Sequence, residues 1–168
     1  MSKYTEIINK YPWMFELMKD RRYPISYGFQ CNDGWFDVLD ECFKKFAEID
    51  KNKEIIIFQV KEKFGGLRIY THHIFKKTLI ENLMYNISVI YNRLIRFILN
   101  LFDLRLYNML WYYKTKKERM LRKIINETEM TASKICESCG QPGEIKSINK
   151  WRYCTCESCE EKILNEES

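Results

Sequence analysis

A chain of 168 residues, 46 % hydrophobic and 15 % aromatic, is long and apolar enough to bury one core, which excludes a chain too polar to fold. The net charge of +5 is too small to identify a partner by itself, and it is uneven: residues 1–126 sum to +9 and residues 127–168 to −4. Seven cysteines, with no apolar leader in Met1-Ser2-Lys3-Tyr4-Thr5, point to a reducing cytosol, where paired cysteines hold metal more often than they form disulfides.

Tyr4 to Arg22 reads as a helix interrupted near Pro12, with Tyr11, Trp13, Met14, Leu17 and Met18 available for burial. A turn-rich stretch follows from Tyr23 to Phe36. Asp33 is placed to cap a helix whose apolar positions Phe36, Val38, Leu39, Cys42, Phe43, Phe46 and Ile49 recur at helical spacing. Asp50-Lys51-Asn52-Lys53 ends that helix. Ile55 to Val60 is the clearest strand, Lys61 to Gly66 a turn, and Leu67 to Tyr70 the returning strand of a hairpin.

From about Phe75 to Thr131 no Pro or Gly breaks a helical pattern, and Leu79, Leu83, Ile87, Ile90, Leu94, Phe97 and Leu101 form an apolar stripe. One long helix or two with a bend near Asp103 both fit. The longest charge-free run, Asn82 to Asn92, is shorter than the roughly 20 apolar residues of a membrane span. The stripe suits a helix packed on the hairpin, a dimerisation helix or a membrane-surface helix. Its end carries Lys114, Lys116, Lys117, Arg119, Arg122 and Lys123 just after Trp111, Tyr112 and Tyr113. Such a run is commonly a solvated helix face; with aromatics beside it, it also suits DNA or RNA.

Cys136-Glu137-Ser138-Cys139 and Cys156-Glu157-Ser158-Cys159 are two C-x-x-C pairs at the spacing of a zinc ribbon. Each pair can occupy one edge of the tetrahedron that Zn²⁺ prefers, and Gly140, Pro142 and Gly143 supply a tight turn. Four protein ligands make a closed, structural site. Cys154 adds a C-x-C alternative in the second arm. Cys31 and Cys42 read as small buried residues.

Lys61, Lys63, Gly65, Gly66 and Arg68 form a second constellation, because glycines let a backbone approach a ligand and the cations suit a phosphate. An ordinary hairpin turn with solvated charges fits the same residues. No Ser-His-Asp set or Walker loop is visible. A catalytic reading rests on His72-His73 with Asp33, Asp37 or Asp40, and adjacent strand histidines point to opposite faces.

Asp33-Gly34-Trp35, Gln59 to Tyr70, Ser133, Cys136-Glu137-Ser138-Cys139-Gly140-Gln141-Pro142-Gly143, Trp151, Cys156 and Cys159 occur in one order. That order resembles a family of small tailed-phage and prophage proteins with a GDGW segment, a KEKFG-LR hairpin and a C-terminal ribbon. The match covers about half the chain. Asn32 stands where the family has Gly, Cys159 where His is common, and residues 73–128 exceed its usual connection. The resemblance implies phage origin and favours the anion site; it supplies no activity.

These readings give an α+β fold: a small antiparallel hairpin packed by helices over residues 1–72, a long helical region over 73–131, and a zinc ribbon over 132–168. The expected function is non-enzymatic binding of a phosphorylated, nucleotide-like anion by Lys61, Lys63, Gly65, Gly66 and Arg68, with Trp35 or Tyr70 stacking on a base. Such a protein would act in the cytoplasm of an infected or lysogenic bacterial host, to counter host defence. The alternatives are DNA or RNA binding through residues 112–123, or a host-protein adaptor. The helical region is the candidate surface for a homo-oligomer.

Overall fold

The computed structural model describes residues 3–73 and 104–166, with side chains over 3–72 and 116–165. The apolar stripe from Leu79 to Leu101, the question of one helix or two, the His73 side chain and the side chains of Trp111 to Lys114 lie outside those residues. The chain divides into two compact units, Met1–Ile74 with Arg122–Ser168, and Phe75–Leu121. Among the described residues no helix is long and apolar enough to cross a membrane.

The fold is α+β. Helix α1 spans Lys3–Lys10 and stops before Pro12, which opens a 3₁₀ segment, Pro12–Lys19, because proline lacks the N–H that would continue an α-helix. Short 3₁₀ turns follow at Pro24–Tyr27 and Asp33–Trp35, and helix α2 runs Phe36–Ile49. Asp33 does not cap α2: it lies in the preceding 3₁₀ turn, and Trp35 holds the capping position without a side-chain bond. At the other end the buried Asp50 carboxylate accepts the backbone N–H groups of Glu54 at 3.0 Å and Ile55 at 2.7 Å, fixing the chain's entry into the first strand.

Strands β1 (Ile55–Lys63) and β2 (Gly66–His73) pair antiparallel, and β3 (Glu144–Ile148) and β4 (Trp151–Thr155) form a second two-stranded sheet. The first hairpin is longer than its apolar run predicts. Charged residues Lys61 to Lys63 belong to β1, because alternation lets Val60 face the core while Lys61 faces out. The turn is only Phe64-Gly65, both left-handed at φ 55° and 76°, as a type I′ hairpin requires. Asn149 and Lys150 make the corresponding left-handed turn between β3 and β4. A phenylalanine in that conformation costs about 1–2 kcal/mol, which glycine or asparagine would largely avoid.

The core holds Ile7, Met14, Phe15, Ile25, Leu39, Phe43 and Phe46 against Ile55, Ile57, Val60 and Leu67. Phe29 joins it by stacking on Tyr4 at 4.4 Å and lying edge-on to Phe43 at 6.3 Å. Helix α3 (Leu104–Ala132) ends beside β2, where Glu129 accepts the Ile69 N–H at 3.2 Å and pairs with Arg68 at 3.2 Å. One carboxylate thereby covers an open edge of the sheet. The Glu129 carboxylate is thereby engaged with the hairpin. Helix α4 (Glu157–Glu166) closes the described chain.

Candidate metal centre and the surface around it

The sequence brings its four paired cysteines together. The sulfurs of Cys136, Cys139, Cys156 and Cys159 lie within 4.8 Å of one another, and Cys139 and Cys156 approach to 3.5 Å. A disulfide needs about 2.05 Å, and all seven cysteines are free thiols. Four sulfur donors at that separation fit a soft ion in tetrahedral coordination, and all four positions are filled by the chain.

The two arms are built differently, although their sequences predict equivalent knuckles. The first is a loop: Ile135 bridges Pro142, Cys136 donates its N–H to Gln141 at 2.7 Å, and Gly140 turns left-handed at φ 78°. The second opens α4, with Cys156 just before the helix and Cys159 in its first turn. A helix N-terminus favours thiolates. The Ser158 hydroxyl and then the Cys159 N–H hold the Cys156 thiol down at about 6. Burial, followed by the neighbouring sulfurs, pushes Cys159 up to about 12.

Cys154 is not a member of the cluster. Its thiol is buried and donates to the carbonyls of Ile135 at 3.1 Å and Ala132 at 3.4 Å, tying β4 to the end of α3. The end of the strand explains this: alternation alone would put Cys154 and Cys156 on one face, but β4 stops at Thr155 and Cys156 stands just before a helix. Cys42 is buried as expected, and burial raises its thiol to about 12; Cys31 is half-buried beside the Tyr4 hydroxyl.

The first knuckle is clamped by the Asn32-Asp33-Gly34-Trp35 segment. Gly34 donates its N–H to the Glu137 carbonyl at 2.8 Å, and the Trp35 indole donates to Ile135 at 2.8 Å. The Asn32 amide meets the Glu137 carboxylate at 2.9 Å. Glu137 is 8 % exposed and its other carboxylate oxygen has no hydrogen-bond partner among the described residues. Burial, and next Glu62, push this carboxyl up to about 7, against the Asn32 amide. No local pattern marks Glu137 and Asn32 for this contact; the signal in the sequence is their place beside Cys136 and the Asp-Gly-Trp segment.

Trp35 is 0 % exposed, so it has no face for a base, and the expected stacking role is corrected. The Gly65 N–H is given to the Glu62 carboxylate rather than to a ligand. Arg68 donates to the Leu67 carbonyl at 2.7 Å and to Glu129, and its guanidinium lies over Gly66. Lys61 and Tyr70 do come together, with the ammonium 5.2 Å from the ring centroid, and Lys63 stands 5.4 Å from the Phe64 ring. The register pairs Lys61 with Arg68, Gln59 with Tyr70 and Lys63 with Gly66, so these side chains share the outer face of the hairpin.

On α3, Lys116, Arg119, Arg122 and Lys123 are exposed, Lys117 is half-buried, and Lys123 pairs with Glu127 at 3.8 Å. For the catalytic reading, Asp40 is paired with Lys10 at 2.8 Å, and His72 faces Ile56 across the sheet. No protein-family model matches the chain, and no curated protein or solved structure compared with it gives a significant match.

Proposed function

We propose that this is a non-enzymatic binding protein, held together by a structural zinc, that recognises a phosphorylated anion on the outer face of the β1–β2 hairpin. The observation that carries the reading is the hairpin register, which sets Lys61, Lys63 and Arg68 on one face with the half-exposed ring of Tyr70. Cations satisfy phosphate oxygens and the ring offers a surface for a base. Arg68 is held in place by Glu129, which positions its guanidinium and offsets part of its charge.

The four-thiol cluster supports zinc as the resident ion, in a structural role, because a closed shell leaves no coordination position for substrate. Zinc there would fix the two arms of the C-terminal module, and with it the end of α3 that supplies Glu129.

Titration calorimetry of the full chain with inorganic phosphate, ADP and ATP tests the anion site. The reading predicts binding that weakens about a hundredfold in Lys61→Ala/Lys63→Ala, roughly the loss of two charge-assisted contacts. Equal binding by the variant would remove the hairpin face as the site.

A further inference from the structure

We propose that the ligand class is single-stranded nucleic acid, bound where the β1–β2 tip meets β4, with Phe64 stacking on a base and Lys63 and Arg152 meeting phosphates. This deepens the reading above and rests on the same hairpin face; it adds residues from the C-terminal module that the cysteine pattern alone does not single out.

The two hairpins are in direct contact. A Cβ placed on Gly65 would lie 3.0 Å from the Ile145 side chain and 3.2 Å from the backbone of Arg152 and of Tyr153. The β3–β4 register puts Ile145, Cys154, Ser147 and Arg152 on one face. Ile145 meets the Phe64-Gly65 turn from that face, so Arg152 leaves β4 on the side of the β1–β2 tip.

Phe64 is 68 % exposed and takes a left-handed backbone that a smaller turn residue would adopt with less strain. An exposed aromatic in an unfavourable conformation adds nothing to the core. Trp151, 69 % exposed, sits next to Arg152 at the start of β4.

Local charge favours an anion, although residues 127–168 are acidic as a whole. Four nearby carboxylates are engaged: Glu62 with the Gly65 N–H, Glu129 with Arg68, and Glu144 and Glu160 with Lys146; Glu137, close to Glu62, is buried and bonded through one oxygen to Asn32. Four cations, Lys61, Lys63, Lys150 and Arg152, border the two tips.

Aromatics alternating with cations on an open surface match a flexible strand, whose bases present free faces and whose phosphates repeat. A duplex hides those faces.

The test is fluorescence anisotropy of the zinc-loaded full chain with labelled oligothymidylate, against the matching duplex, heparin, ADP and phosphatidylserine vesicles. The proposal expects the single strand to bind tighter than the duplex or heparin. Phe64→Ala and Phe64→Gly should each weaken it about tenfold. Phe64→Gly relieves the turn and should fold at least as well, so its loss of binding reads stacking alone. Arg152→Ala should reduce the salt slope by about 0.7, the value of one contact to a single strand. Arg122→Ala, on the basic helix, should change little.

Equal binding of duplex or heparin with no effect of Phe64→Gly overturns the proposal, as does preferential binding to vesicles. ADP binding that needs Lys61 and Lys63 but ignores Phe64 and Arg152 overturns it while leaving the anion reading in place. Failure of every ligand ends both.

Discussion

Gly34 stands so close to Cys136 that a Cβ on it would lie 2.3 Å from the Cys136 carbonyl oxygen. The Glu137 carbonyl oxygen would be at 2.5 Å from the same atom. Both neighbours are backbone of the first knuckle, which would have little room to move with a metal on its thiols. The glycine is thus demanded by close approach, and its backbone is not left-handed. Gly34→Ala is predicted to destabilise the protein by about 3 kcal/mol, the upper end for overpacking, and to loosen the metal. Urea denaturation with a chelator-competition assay measures both; an unchanged midpoint would show that the clamp is not as tight as this contact requires.

Trp35→Phe keeps most of the buried ring and removes the indole donor to Ile135. The cost expected is about 1 kcal/mol, the net worth of one hydrogen bond, because the Ile135 carbonyl still accepts the Cys154 thiol. Trp35→Ala should cost more, about 3–5 kcal/mol, because a cavity is added. Chemical denaturation of the two variants separates the hydrogen bond from the packing.

Cys154 differs from its neighbours in what its sulfur touches. Cys154→Ala is predicted to retain a full complement of metal, whereas Cys139→Ala and Cys156→Ala lose it. Metal content per chain after gel filtration checks this, and a metal-free Cys154→Ala that is otherwise folded would place Cys154 in the coordination shell.

Cys42 gives a pH signature away from the cluster. Burial raises its thiol from 9.0 in the unfolded chain to about 12. With the folded value raised, the stability from keeping this thiol neutral is fully present below pH 9 and is lost as pH rises toward 12. In the folded protein its alkylation rate should stay far below that of an unfolded thiol through that window. Mass spectrometry after timed iodoacetamide treatment reads the site directly; labelling at the free-thiol rate would contradict the burial.

The α+β class, helix α2 and the four grouped cysteines were legible because each rests on local periodicity or spacing: Leu39, Cys42, Phe43 and Phe46 fall on one helical face, and two C-x-x-C pairs need only a turn and a hairpin between them. The reach of β1 and β2 was underestimated, because Lys61-Glu62-Lys63 is too polar to read as strand until Glu62 is seen binding the Gly65 N–H. The roles of Trp35, Asn32 and Glu129 were hidden for a different reason. Each is set by a partner roughly 60 to 105 residues away in the chain, and no local pattern encodes such a pairing. Trp35 looked like a base-stacking residue only because its indole partner, the carbonyl of Ile135, is invisible in one dimension.

The central claim is that four cysteines hold one structural zinc. Native mass spectrometry of protein purified without chelator, compared with its denatured mass, tests it most directly. The account predicts one zinc per chain, retained by Cys154→Ala and lost by Cys156→Ala, with chelation unfolding the β3–β4 module. A metal-free protein with that module intact, or iron in place of zinc, would contradict it.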